Sequence, residues 1–415
     1  MRQTPSLRDV NDARRRRLLA LADRLGTPSF VYFLDEVRAR IAAVRQAFGG
    51  AFAITYAIKA NPAPALLRGL RGAVDGIDVS SGGELARALA AGHPAAAIHF
   101  TGPGKREPEL AAAVAAGIGA VVLESREEAA LLAGLARKAG VRQRVLVRIA
   151  PDRVPAGFGD TMSGKPVAFG IDEEDVPAFL ADLRRWPELR LAGFHAYSGT
   201  QCLKPDAIAA NWAIFARVFA AAAAAAGSPP EQLVLGAGMG LAYHDDQRPL
   251  DLAEVANHAA PVIADLRARF PQAQLALETG RYLVGDAGVY LLRVLRTKDS
   301  RGVRIGICDG GFHHHLAAAG MFGMVLKRNF RLANVSVADG PATGTFQLSG
   351  PLCTSLDVLG RAVPLPRLQQ GDVLAIEVSG AYGPSASPTG FLSHPPAGEW
   401  LVDGEHVAAA GVDSN

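Results

Sequence analysis

Cysteine is scarce in this chain: Cys202, Cys308 and Cys353 are the only three in 415 residues. Their number and spacing make no disulfide framework, so a reducing cytoplasmic setting is expected. A charge excess is missing as well. The formal net charge is +3, and the charged residues, 20% of the chain, are interspersed rather than blocked. Nucleic acid and an anionic membrane surface are therefore not expected partners. No apolar run reads as long enough to span a membrane, and Met1 to Asp9 is polar, so neither an anchor nor a signal peptide is expected. The one basic cluster, Arg14 to Arg17, falls in an N-terminal helical pattern and reads as a solvated face. The run Ala220 to Ala226 is low in complexity, but it closes a helical pattern and stops at Gly227.

The length suffices for a barrel plus a smaller partner domain. From about residue 50, short apolar runs alternate with longer amphipathic segments. Strands are expected at 51–58, 75–79, 97–101, 119–123, 144–149, 190–197, 232–236 and 273–278. Helices are expected near 63–72, 82–92, 107–117, 126–140, 172–185, 204–226 and 251–269. Eight nearly continuous apolar runs with seven helices between them match a (β/α)8 barrel, whose parallel strands are buried on both faces. A long Pro- and Gly-rich loop, 150–170, follows the fifth strand. After Arg281 the helical pattern gives way to strand-like runs at 286–297, 302–308, 345–348 and 373–379. The chain thus divides into a barrel at 36–280 and an all-β domain at 281–415. Residues 1–35 are assigned to that second domain, with a strand at 29–34 completing it.

In such barrels the C-terminal strand ends carry the chemistry. The first run leads to Lys59, in Tyr56-Ala57-Ile58-Lys59-Ala60-Asn61-Pro62. An ammonium there loses hydration, which favours the free amine and so nucleophilic attack on a carbonyl. A lysine that simply faces solvent would look the same on this segment alone. The second run ends at Asp78, before Ser80-Ser81-Gly82-Gly83-Glu84. The sixth runs through His195 and Tyr197 to Thr200, and two residues at that spacing share one face of a strand. The seventh ends in Gly236-Ala237-Gly238-Met239-Gly240, a tight turn or an amide nest for phosphate. The eighth ends in Glu278-Thr279-Gly280-Arg281. A carboxylate there needs a cationic or hydrogen-bonding partner. Arg281 suits phosphate or a nearby salt bridge.

Taken together with Gly350-Pro351-Leu352-Cys353 and Gly380-Ala381-Tyr382-Gly383, this set resembles the fold-type III pyridoxal 5'-phosphate (PLP) dependent decarboxylases, the group of ornithine and diaminopimelate decarboxylases. The resemblance runs from about residue 28 to the end. It implies that Lys59 carries PLP as a Schiff base and that Asp78 lies near it. It also implies that Gly236, Ala237, Gly238, Thr200, Gly280, Arg281 and Tyr382 serve the phosphate side, and that Glu278 keeps the pyridine nitrogen protonated. Cys353 would come from the other subunit of a homodimer and protonate the substrate carbon. The family usually has histidine where this chain has Tyr197, which leaves open whether His195 or Tyr197 covers the ring. A fold-type III racemase and a non-catalytic PLP carrier are rival readings. Glu278 argues against the first, because racemases of this fold set arginine there, and the long C-terminal domain argues against the second.

In the enzymes that act on free diamino acids, an acidic residue follows the motif cysteine and holds the distal ammonium. Here it is Thr354. The motifs are closest to decarboxylases acting on glutamyl groups tethered to an acyl carrier protein, or associated with exosortase gene clusters. The expected substrate is therefore a modified, conjugated or carrier-bound amino acid. Diaminopimelate and siderophore intermediates are the alternatives. The segment 309–328 is expected to line the substrate pocket, with Lys327 and Arg328 meeting an anionic substrate or carrier. Three adjacent histidines, His313 to His315, cannot all face one ion on regular backbone, so no metal is expected.

Overall fold

The computed structural model describes residues 12–322, 327–338 and 340–411, so the expectations for Met1 to Asp9 and for residues 323–326 fall outside it. Eight parallel strands close a barrel: Ala53–Ala57, Gly76–Val79, Ile98–Phe100, Ala120–Leu123, Gln143–Ala150, Leu189–Ala196, Gln232–Gly236 and Gln274–Thr279. Each pairs with the next in chain order, and the eighth returns to the first, with Leu277 opposite Ile54. The expected runs are all present. The first strand stops at Ala57, so Lys59 stands in a 3-10 turn, Ile58–Ala60, rather than on the strand itself.

Seven helices connect the strands. One more, Leu34–Ala47, precedes the first strand and was not anticipated. Pro205–Ala226 corrects another expectation, because its length and apolar composition would suffice to cross a membrane. The apolar side is committed to the barrel instead. Ile208, Trp212, Phe215 and Phe219 are fully buried, and Trp212 donates its indole N–H to the Gly236 carbonyl at 3.2 Å. Each such side chain contributes roughly 1.5–3 kcal/mol by leaving water.

Period-two alternation splits the barrel residues into two sets. Ile77, Val79, Ile98, Phe100, Val145 and Val147 face the surrounding helices. Ala120, Val122, Leu146, Ala192, Val234 and Ala276 fill the lumen floor. Above that floor, the same face carries Asp78, His99, Glu124, Arg148, His195 and Glu278, all buried. The sixth strand reaches this arrangement through a bulge. Its pairing with the fifth slips where Val145 opposes Leu191 but Leu146 opposes Gly193, leaving Ala192 as the extra residue. The slip sends Phe194 outward onto Phe219 and turns His195 into the lumen. Only glycine fits at the kink, because a Cβ on Gly193 would lie 1.8 Å from the Gln232 carbonyl oxygen.

The second domain is an all-β sheet. Ser29–Phe33 lies in its middle, antiparallel to Gly288–Ser300 and parallel to Gly398–Asp403. Beyond Gly288–Ser300 the sheet continues through Val303–Cys308, Gly344–Ser349 and Val358–Leu365. Val373–Ile376 and Leu332–Asn334 branch from it, and His406–Ala409 forms the far edge. The basic cluster in helix Asp12–Leu25 is not simply a solvated face. Arg14 pairs with Glu36, and the Arg14 and Arg17 guanidinia lie 4.9 and 5.1 Å from the Phe33 ring centroid. Phe33 is the last paired residue of its strand, and the arginines cover its ring.

Gly193→Ala is expected to cost about 3 kcal/mol or more, through overpacking against backbone that cannot retreat. Gly134→Ala, on an exposed helix position with nothing within 4 Å, should stabilise by about 0.5–1 kcal/mol. Urea unfolding of both variants checks the contrast.

Candidate active site

Lys59 leaves the first strand and enters a lumen already occupied by carboxylates. Burial works to lower its pKa, as expected from sequence, but Glu278 and then Asp78 outweigh it and the net shift is upward. The lysine is thus held as an ammonium by its neighbours, a correction to the expectation of a depressed pKa. Asp78 moves the other way. Burial and repulsion from Glu278 raise it well above the ordinary carboxylate range, against the attraction of Lys59. Its Oδ1 accepts the Thr101 hydroxyl, while Oδ2 is buried without a partner.

Glu278 stays ionised. Burial alone would raise its pKa, but His195, Lys59 and Arg148 bring it down to about 2. His195 Nε2 meets Glu278 Oε2 at 2.8 Å, and both side chains are almost fully buried. His99, on the third strand, is pushed down to about 4 by burial and is neutral. Behind these groups Arg148 pairs with Glu124 at 3.2 Å. Glu124 also accepts the Gly102 and Gly170 amides, which fastens the end of the long loop.

Tyr197 stands just beyond the end of the sixth strand, so it does not simply repeat the strand phase of His195. Its ring lies against Gly236, where a Cβ would come within 2.3 Å, and the Lys59 Nζ sits 5.5 Å from its centroid. Thr200 belongs to a two-residue strand, Gly199–Thr200, paired with Asp160–Thr161 of the long loop. That pairing sets Phe158 against Gly238, which has φ of +66° and would bring a Cβ within 2.6 Å of the ring. In the glycine-rich turn, Ala237 N donates to the Glu278 carbonyl at 2.9 Å. Gly240 N donates to Cys202 O, and Cys202 N to Gly238 O. The Gly238 and Met239 amides keep no partner among the described residues.

Gly280 lies close to the Lys59 turn, where a Cβ would sit 2.8 Å from the Ala57 carbonyl oxygen. The next residue, Arg281, donates to the Tyr243 hydroxyl at 2.9 Å, and its guanidinium lies 4.5 Å from the Tyr382 ring centroid. Tyr382 comes from the β domain. It holds a φ of +54° and donates its amide to Ala60 O at 2.8 Å, one residue past Lys59.

These residues fit PLP. An amine stands at the centre and an ionised carboxylate at one end. An arginine and two unpartnered glycine-loop amides stand at the other. Buried polar atoms without partners remain among them: Asp78 Oδ2, His195 Nδ1, Ser198 Oγ and Arg281 Nε.

Cys353 is exposed, on a loop of the β domain. Thr354 turns its hydroxyl back on that loop, accepting from Leu356 N at 3.3 Å. Asp357 is buried, and both of its oxygens are used: Oδ1 accepts Phe312 N at 2.8 Å and Oδ2 accepts Leu352 N at 2.9 Å. Arg328 is exposed and paired with Asp246. The histidine run corrects the pocket expectation in part, because all three rings are buried in the β domain. His314 meets the Tyr290 hydroxyl and Pro395 O, His315 meets Ser379 Oγ, and His313 has no partner on either ring nitrogen. Burial pushes all three down, to about 4, 4 and 3, so they are neutral.

His99, Thr101, Glu124, Arg148 and Tyr243 were not singled out from sequence. The first four sit on or just past strands at lumen-facing positions, so alternation carried along each strand would have found them. Tyr243 has no such signal. It lies in an irregular loop, and only the fold brings it to Arg281.

Because the folded Glu278 titrates below its ordinary 4.5, its stabilisation is complete above about pH 4.5 and is lost as pH falls toward 2. The melting temperature of the cofactor-free protein should therefore fall more steeply over that window than that of Glu278→Gln. Equal slopes would show that the carboxylate is not held ionised.

The sequence model of the pyridoxal-dependent decarboxylase pyridoxal-binding domain matches residues 34–285. The L-glutamyl-[BtrI acyl-carrier protein] decarboxylase of Niallia circulans is 35% identical over 385 residues, covering 91% of this chain and 89% of that protein. A diaminopimelate decarboxylase from Deinococcus radiodurans is 35% identical over 384 residues, covering 92% of each. The crystal structure of diaminopimelate decarboxylase from M. jannaschii in complex with L-lysine superposes with a TM-score of 0.84 at 26% identity, over 95% of this chain and 91% of that one. The barrel, the lysine among carboxylates and these likenesses lead to one conclusion: the chain belongs to the pyridoxal-dependent decarboxylases and is a PLP-dependent carboxy-lyase.

Proposed function

We propose that this enzyme removes the α-carboxylate of an amino acid whose distal end carries no free ammonium, foremost a glutamyl group held on an acyl carrier protein. The observation that carries this reading is Asp357. It is the one carboxylate in the loop 350–357, and both of its oxygens are spent on the Phe312 and Leu352 amides. With Thr354 next to Cys353, this loop offers no acid to a distal ammonium. A free diamino acid then loses a charge-assisted bond worth about 1.5–3 kcal/mol. The Niallia circulans relative acts, by its name, on a carrier-bound glutamyl group. Decarboxylation of free diaminopimelate is the second reading, favoured by the Deinococcus radiodurans relative.

When bound, PLP supplies the electron sink that takes up the pair left by the departing carboxylate. Lys59 would hold the cofactor through Nζ. Glu278, ionised and braced by His195, favours a proton on the pyridine nitrogen. Arg281, Thr200, Gly236, Ala237, Gly238, Gly280 and Tyr382 serve the phosphate side. His195 is committed to Glu278 while Tyr197 faces Lys59, so Tyr197 would be the residue to cover the ring. Cys353 delivers the proton to the α-carbon from the partner subunit of a homodimer in the cytoplasm, and Arg328 meets an anionic substrate once released from Asp246.

Carbon dioxide release should be seen from glutamyl thioesters and not from free diaminopimelate, ornithine or lysine. Thr354→Glu should raise kcat/KM for diaminopimelate by about 10- to 150-fold, the rate equivalent of that lost bond. Rapid turnover of diaminopimelate by the unaltered enzyme would overturn the substrate reading.

Lys59→Ala should abolish the visible absorbance of the lysine-bound cofactor. Mixing Lys59→Ala with Cys353→Ala, each inactive alone, should restore partial activity as subunits exchange. No recovery on verified exchange would show that the sites are not shared.

A further inference from the structure

Next to Arg281 the surface carries a ridge of cations whose loops are tied together by hydrogen bonds. Tyr243, which accepts from Arg281, also accepts Arg331 N through its backbone oxygen at 3.0 Å, and its ring lies 4.7 Å from that of Phe330. His244 Nδ1 donates to the Asn329 carbonyl at 2.8 Å. Residues 327–331 are thereby laid along the outer rim of the phosphate side.

Asn329 reaches one element further. Its side chain donates to Arg361 O at 2.6 Å and accepts Arg361 N at 2.9 Å. Arg361 sits in a bulge. Phe346 opposes Val363 and Leu348 opposes Gly360, so Gln347 faces two residues, Arg361 and Ala362. Ala362 takes a φ of +48° to make the turn. Such bulges re-aim side chains at functional edges, and this one turns Arg361 to solvent beside Lys327 and Arg328, all three exposed. Arg248, also exposed, extends the ridge along the loop that holds Tyr243 and Asp246; its guanidinium lies 3.9 Å from Glu254, and a pair so open to solvent holds weakly. Asp246 is already engaged by Arg328.

We propose that this ridge docks the acidic face of the acyl carrier protein that delivers the substrate. The inference rests on the carrier-bound reading above. A carrier must dock briefly and release, and complementary charge gives fast association without a large apolar interface. The ridge borders the rim beside Arg281, where an arm bearing a phosphodiester and the glutamyl thioester would enter.

The test uses the PLP-loaded enzyme with two substrates: the L-glutamyl-loaded BtrI acyl-carrier protein, and the same glutamyl thioester on free pantetheine. Arg248→Glu/Arg361→Glu leaves the Asn329 ties intact, since those run through the Arg361 backbone. The double variant should raise KM for the carrier-borne substrate at least 10-fold, with kcat and all pantetheine kinetics unchanged. Binding of the carrier, followed by fluorescence anisotropy, should weaken with added salt in the unaltered enzyme and be weak at all salt in the variant. Equal carrier kinetics and binding in variant and unaltered enzyme would overturn the docking ridge and leave the substrate reading standing. Turnover of neither glutamyl thioester by the unaltered enzyme would overturn the substrate reading and the ridge with it.

Discussion

The Glu278 carboxylate is the constraint on which the lumen depends. A buried anion is tolerated only with partners close by, and this one recruits His195, Lys59 and Arg148. Its charge keeps Lys59 protonated and adds to burial in pushing Asp78 toward the neutral acid. The site is a balanced set of charges in which each group's state is fixed by the others. The same carboxylate that makes the lumen costly to build without cofactor is the one that would sit opposite a protonated pyridine.

That balance requires geometry that the barrel provides with little freedom. Lumen residues come from alternating positions on eight strands, so the apolar floor and the ionisable layer above it are set by register alone. The sixth strand is the exception, because its uninterrupted phase would point His195 at the helices. The Ala192–Gly193 bulge corrects the phase, and the close backbone contact at Gly193 is the cost. The long loop 150–170 is bound to the same framework at its end and at its middle. Gly170 is held by Glu124, and Asp160–Thr161 is held by Gly199–Thr200.

Much of this was legible in the sequence, for physical reasons. Parallel strands buried on both faces leave near-continuous apolar runs, so the barrel could be counted. Lys59, Asp78, Glu278 and Arg281 stood out because charge at the end of such a run is expensive without a purpose. Three things were less legible. Lys59 was expected to be depressed by burial, since its carboxylate neighbours come from strands distant in sequence. Pro205–Ala226 was not read as a membrane-length helix, because its apolarity is spread over many alanines rather than concentrated in large residues. His313 to His315 were placed near the substrate, yet all three rings lie in the β-domain interior, where neutral imidazoles bond to Tyr290, Pro395 and Ser379 or, at His313, to nothing.

The strand Ser29–Phe33 is made early, yet its partners, Gly288–Ser300 and Gly398–Asp403, are the products of late synthesis. During elongation this five-residue apolar segment must wait beside a barrel that can already close, with its backbone donors and acceptors unpaired. The final sheet is therefore a clasp joining segments that precede and follow the barrel. A nascent chain cut short before residue 288 would carry a complete barrel and one sticky, unmatched edge. Ribosomal pausing and chaperone capture would be felt most at that stage of this enzyme's production.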